Sequence, residues 1–159
     1  PDDQSIHTLF FGVASRQPSD PAVLSLPPGG DGGMSYAELA LCAQILGIRL
    51  AKRGATPDSV VGVCMHREPG LLVALLGVLC SGASYVALDP MFPRDRLAYV
   101  CSDADVSLVV LQQELEGFID DVMQLLRTEH VEKTAVRRQT GPSQWESVTT
   151  VVTTVTERI

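Results

Sequence analysis

The sequence predicts an α/β fold: a mostly parallel sheet built from βαβ units and flanked by helices. Three compact apolar runs, Val60–Met65, Ser84–Leu88 and Val106–Leu111, alternate with the helical segments Leu71–Cys80 and Pro93–Asp103. Such alternation implies right-handed crossovers and parallel strands. The runs are continuously apolar, as strands buried on both faces must be. Hydrophobic residues make up 45% of the 159, which supplies a core and excludes disorder along the whole length.

In chain order, Ile6, Leu9, Phe10 and Val13 fall on one helical face, and Pro18 and Pro21 end that helix. Ala22–Leu26 suits a short strand. Pro27-Pro28-Gly29-Gly30-Asp31-Gly32-Gly33 is a breaker-rich loop. Ser35 and Glu38 then form S-x-x-E, a capping box, and Met34 and Leu39 have the spacing of a hydrophobic staple around it. The helix they open places Leu39, Cys42, Ala43, Leu46 and Leu50 on one face. Arg49, Lys52 and Arg53 complement its negative end, and Gly54 stands at C′. Gly47 inside this helix costs about 1 kcal/mol relative to Ala.

After the Val60–Met65 strand, Pro69 suits a first helical position. Leu71–Cys80 is apolar on all sides, as expected of a helix buried between layers, and Gly82 closes it. Leu115, Phe118, Ile119, Val122, Met123 and Leu126 repeat at helical spacing. Beyond Arg127 the pattern changes. Glu129–Arg138 is mostly polar and Gly141-Pro142-Ser143 breaks the chain. Val148–Thr156 is entirely β-branched although its valines have helical spacing. An edge strand or disorder is expected there, with residues 127–159 a divergent tail and 6–126 the ordered unit.

The net charge of −7 argues against a nucleic-acid partner, because phosphate binding needs clustered Lys and Arg. No run reaches the roughly 18 apolar residues of a membrane helix. Pro1-Asp2-Asp3 is no signal peptide, and without an initiator Met the sequence is expected to be processed or excerpted. Cys42, Cys64, Cys80 and Cys101 form no C-x-x-C pair, so buried free thiols of a reducing cytoplasm are expected. His7, His66 and His130 are scattered, which predicts no metal site. The glycine-rich loop lacks the Lys of a phosphate-binding loop, so a surface connection is expected there.

Two stretches carry more. Met34-Ser35-Tyr36-Ala37-Glu38-Leu39 and Leu79-Cys80-Ser81-Gly82-Ala83-Ser84-Tyr85-Val86-Ala87-Leu88-Asp89-Pro90 resemble the first two core motifs of nonribosomal peptide synthetase adenylation domains. Those domains belong to the adenylate-forming AMP-dependent synthetases and ligases. Asp89-Pro90 through Pro93-Arg94-Asp95-Arg96-Leu97 resembles the family's D-P-x-x-P-x-x-R-L stretch. The second family motif runs L-K-A-G-x-A-Y-[LV]-P-[LI]-D; here Cys80 and Ser81 replace Lys-Ala, Ser84 replaces Ala, and Ala87 replaces Pro. The resemblance covers roughly Ile6–Leu126 and implies the incomplete N-terminal part of the family's large domain.

In the family, ATP and Mg²⁺ activate a carboxylic acid as an acyl-adenylate, and the acyl group passes to a phosphopantetheine thiol. The family's T-S-G-[ST]-T-G-x-P-K-G loop has no counterpart here. The only Gly after Gly117 is Gly141, with no adjacent Lys. The adenine-contacting segment, the ribose-binding Asp and the catalytic Lys are also missing, and Lys133 matches no motif. The resemblance therefore implies a chain inactive alone, with no catalytic, cofactor-binding or metal residue of its own. Ser35, Tyr36, Glu38, Leu39, Gly82, Tyr85, Asp89 and Pro90 are expected as structural motif residues. Asp89, at the carboxyl end of a strand, is the one placed to line a site in a complete domain.

Expected partners are the remainder of a synthetase or a second copy of the chain, through apolar surface left on Val106–Leu111 and Leu71–Cys80. A fragment of an acyl-CoA synthetase-like or luciferase-like ligase, a non-catalytic interaction module, and a gene-model artefact after about Arg127 are the alternatives.

Overall fold

The computed structural model describes residues 5–24, 33–125, 130–135 and 150–156. The breaker-rich loop lies almost wholly outside them. The first elements are α1 (Ile6–Arg16), β1 (Pro21–Val23), β2 (Met34–Ser35) and α2 (Tyr36–Lys52). They are followed by β3 (Val60–Cys64), α3 (Pro69–Cys80), β4 (Ser84–Ala87) and α4 (Arg94–Asp103). The remainder are β5 (Val106–Gln112), α5 (Glu116–Leu125), β6 (His130–Ala135) and β7 (Thr150–Thr156). β1 and β2 pair antiparallel as a separate ribbon, and the main sheet has the order β4-β3-β5-β7-β6.

The expected parallel unit is present, since β3 pairs parallel with β4 on one side and β5 on the other. β3 and β5 are buried on both faces because alternate residues serve two cores. β4, the outer strand of the parallel unit, is mostly exposed, which corrects the expectation for Ser84–Leu88. Val61, Val63, Leu108 and Val110 join Leu46, Leu50, Ala74 and Val78 of α2 and α3. Cys64, Val109 and Leu111 join Leu97 and Cys101 of α4 and Ile119, Val122 and Met123 of α5. Period-two alternation with apolar partners on both sides produces the unbroken apolar runs. On the outside, Arg94 bridges α4 to α5, with Nε 3.1 Å from an Asp121 carboxylate oxygen and its guanidinium 4.9 Å from the Phe118 ring centroid.

The tail corrects one expectation. Thr150–Thr156 is a strand, as its β-branched residues favour, but it is not an edge. β7 runs antiparallel to β5, pairing Leu108 with Thr154 through Gln112 with Thr150, and β6 pairs on its far side. The polar run around Glu132 and Lys133 thus supplies the edge strand, a position where charge is tolerated. Val106–Leu111 is accordingly not left open: all but Ser107 of β5 is buried.

The helices differ from expectation where residue size decides the inward face. In α3, Gly70, Ala74, Gly77 and Val78 are buried while Leu72 is 40% exposed. Small residues let α3 approach its neighbours closely. Leu71, Val73 and Leu75 pack partly buried against the same core, and Leu72 turns outward. In α1 the inward residues are Phe10, whose ring lies 5.9 Å from that of Tyr36, and buried Ala14. Ile6 and Leu9 remain 71% and 53% exposed.

Candidate functional site

The capping box forms as the sequence predicts. The Ser35 hydroxyl accepts from the Glu38 backbone N–H, and a Glu38 carboxylate oxygen accepts from the Ser35 N–H at 2.9 Å. The bond from the Ser35 backbone N–H, and after it one that the Ser35 hydroxyl donates to the same carboxylate oxygen at 2.9 Å, hold the Glu38 carboxyl below its ordinary range. Met34 and Leu39 are both buried on either side of the cap. Tyr36 opens the helix. At the other end Gly54, at φ +93°, completes a Schellman motif, with Ala55 N–H donating to Leu50 O and Gly54 N–H to Ala51 O. This motif anchors α2 and carries no reactive group.

The second motif crosses the sheet. Gly82 (φ +88°) stops α3, a backbone angle that suits glycine. Tyr85 lies on the outermost parallel strand and is exposed. Asp89 follows the carboxyl end of β4, where its Oδ1 accepts from Met91 N–H at 2.9 Å, so the carboxylate shapes its own loop. Asp89 and Pro90 line an open cavity of about 390 Å³ with Val63, Met65, His66 and Arg67. It lies outside the carboxyl ends of β3 and β4, where open sheets bind ligands.

Beside it lies a residue that sequence reasoning missed. Gln112 ends β5 and is the one buried polar or charged side chain among the described residues. Its Oε1 accepts from His66 N–H at 2.6 Å and its Nε2 donates to Glu68 Oε2 at 2.9 Å. The clamp fixes the β3–α3 connection against β5. Its only sequence signal is a polar residue closing the apolar run Val106–Gln112, indistinguishable there from an ordinary strand end.

A helix start binds phosphate through free N–H groups and its positive dipole end. Here α3 opens with Glu68 at the cap and Pro69 at N1, and Asp95 occupies the first turn of α4. Glu114 precedes α5 and Glu116 begins it. Each of these starts carries a carboxylate, but Arg94 and Arg96 share the first turn of α4 and Arg67 lines the cavity. Among the described residues no cluster of His, Cys, Asp or Glu suits a metal ion, and no helix is long and apolar enough to cross a membrane. None of the four cysteines is in a disulfide: Cys64 and Cys101 are buried, Cys42 and Cys80 half-buried. Burial pushes Cys64 up to about 12 and Cys101 to about 11, and raises Cys80.

Of the sequence-predicted motif residues, Asp89 and Pro90 line the cavity, and the capping-box residues stand at the start of α2. The sequence profile of AMP-binding enzymes matches residues 10–157. The chain belongs to the AMP-binding enzyme family. Among its relatives, the AMB antimetabolite synthetase AmbB of Pseudomonas aeruginosa is 45% identical over 67% of this chain and 8% of its own length. The nonribosomal peptide synthetase ftmPS of Neosartorya fischeri is 31% identical over 82% of this chain and 6% of its own. Of solved structures, the nonribosomal peptide synthetase FmoA3 in its α-methyl-L-serine-AMP-bound form superposes with a TM-score of 0.67 at 30% identity. That match covers 74% of this chain and 13% of FmoA3. The chain thus spans under a tenth of these two curated relatives. Its α/β architecture is that of part of an adenylation domain, the amino-terminal part that the motifs indicate.

Proposed function

We propose that this chain is the opening portion of an adenylation domain, inactive alone, whose complete polypeptide activates an amino or other carboxylic acid with ATP. In that polypeptide the carboxylate attacks the α-phosphate and pyrophosphate leaves; a phosphopantetheine thiol then takes the acyl group and AMP leaves. Mg²⁺ would supply charge neutralisation for the phosphates. The remainder of a synthetase is then the natural partner, and the expected compartment is the cytoplasm. The observation that carries this reading is the pair of core motifs standing in framework positions: a formed capping box at α2 and the α3–β4–loop segment beside the crevice. The family membership and the many-fold longer relatives support it.

The proposed inactivity rests on the motif content of the sequence. Phosphoryl chemistry needs donors and cations where negative charge develops, and these 159 residues include no T-S-G-[ST]-T-G-x-P-K-G segment to supply them. ATP–pyrophosphate exchange by the purified chain, with a panel of amino and aryl acids, is expected to match a no-protein control. Substrate-dependent exchange above that control overturns the claim. An in-frame T-S-G-x-T-G-x-P-K-G segment immediately downstream in the gene is the outcome expected of a synthetase fragment.

One observation favours a second reading, a non-catalytic module reusing the first layers of the fold. The antiparallel β7 and β6 cover the outer edge of β5, so that strand needs no later element. A stop codon downstream, together with cooperative unfolding of the isolated chain, is the result that reading expects.

A further inference from the structure

We infer that the outer face of α2 is a two-fold interface on which a second copy of this chain docks helix to helix. The helix is apolar on two opposite faces. Leu39, Ala43, Leu46 and Leu50 are buried toward α3 and the sheet. Leu41, Ile45 and Ile48 form an i, i+4, i+7 stripe on the reverse side, and are 57%, 39% and 57% exposed. A surface helix with one buried stripe normally turns charge outward, whereas this one turns three branched aliphatics.

The charges flanking the stripe specify a copy of the chain as the occupant. Glu38 stands one turn before Leu41 and Lys52 one turn after Ile48, both exposed. Two α2 helices laid antiparallel about a two-fold axis at Ile45 bring Ile45 against its own symmetry mate. Leu41 of each copy then lies level with Arg49 and one residue from Ile48 of the other. The same operation sets Glu38 of each copy beside Lys52 of the other, so both ends of the stripe close with opposite charges. A self-complementary patch of this kind is what an isologous interface requires. A parallel arrangement would set Glu38 against Glu38 and Lys52 against Lys52. The patch is one helix wide, so the association is weak and reversible.

The test is sedimentation equilibrium or light scattering of the full chain over a concentration series. Reversible monomer–dimer behaviour is expected, weakened by added salt as the end pairs are screened. Ile45→Asp sets two carboxylates on the axis and raises the dissociation constant at least tenfold, with the far-UV spectrum unchanged. Lys52→Glu sets like charges opposite at both ends and weakens association several-fold; it decides the question if Ile45→Asp fails to fold. Leu72→Asp, at an exposed leucine of α3, leaves the dimer intact. A monomer at every concentration overturns the proposal, as does a dimer indifferent to Ile45→Asp and Lys52→Glu, or one abolished equally by Leu72→Asp.

Discussion

A Cβ placed on Gly47 would stand 2.7 Å from the Cβ of Cys80 and 3.0 Å from the carbonyl oxygen of Gly77. The crossing of α2 over α3 is therefore set by the missing side chain at residue 47. Gly77 reciprocates, since a Cβ there would meet the Leu46 side chain at 2.7 Å.

Gly47→Ala is expected to destabilise the chain although Ala is the better helix former. The propensity gain is about 1 kcal/mol, whereas overpacking against backbone and Cβ atoms costs about 1–3 kcal/mol. Gly117→Ala in α5 is the control, because no atom lies within 4 Å of its Cβ position. Denaturant midpoints should move down for the first and up for the second. A rise for both would mean that the helices separate without cost.

Ser35→Ala removes the cap acceptor and should cost about 0.5–2 kcal/mol. The partner carboxylate adds a pH signature. The folded-state pKa of Glu38 is depressed by its bonds from Ser35. Its contribution is therefore present above the unfolded value, about 4.3, and is lost as pH falls through the lower folded value. Stability curves of wild type and Glu38→Gln should converge below that window, and parallel curves through it would refute the linkage.

Gln112→Leu keeps the volume but strips both hydrogen bonds, leaving the His66 N–H without its acceptor and Glu68 without its donor. The loss should be about 1–3 kcal/mol, with faster hydrogen exchange at His66. Unchanged exchange at that amide would show that the clamp does not hold the β3–α3 connection.

Cys64 and Cys101 should resist a thiol reagent at pH 8 in the folded protein and react fully after denaturation, because the thiolate is the nucleophile. Burial raises Cys64 from 9.0 to about 12. The neutral thiol's contribution to stability is therefore whole below pH 9 and is lost as pH climbs toward the folded value. Rapid labelling of either residue under native conditions would contradict the packing between β3 and α4.

The parts legible in sequence were those that local chemistry decides. Ser35 and Glu38 specify a cap whatever lies beyond them, Gly54 ends its helix by backbone angle alone, and the two-faced burial of Val106–Leu111 follows from its unbroken apolar run. What was illegible depends on partners far along the chain. Nothing near Gly47 announces Cys80, and nothing near Gln112 announces His66 and Glu68. The polar residues of β6 reveal a strand only once β7 supplies the ladder. The inward face of α2, Leu39, Ala43, Leu46 and Leu50, was legible from its spacing, which leaves Leu41, Ile45 and Ile48 on the other side.

The pairing of β5 with β7 has a consequence for the order in which the protein is made. β3, β4 and β5 are synthesised in succession and can assemble as soon as Gln112 has emerged. The strand that closes the outer side of β5 ends at Thr156, 44 residues later (156 − 112). At about 5–20 residues per second the ribosome needs roughly 2–9 seconds for that stretch. Throughout the interval Leu108–Leu111 presents an unpaired, wholly aliphatic edge to its surroundings. Nascent chains crowded on one message would be most liable to stick together in that interval, before the tail has arrived to shield them.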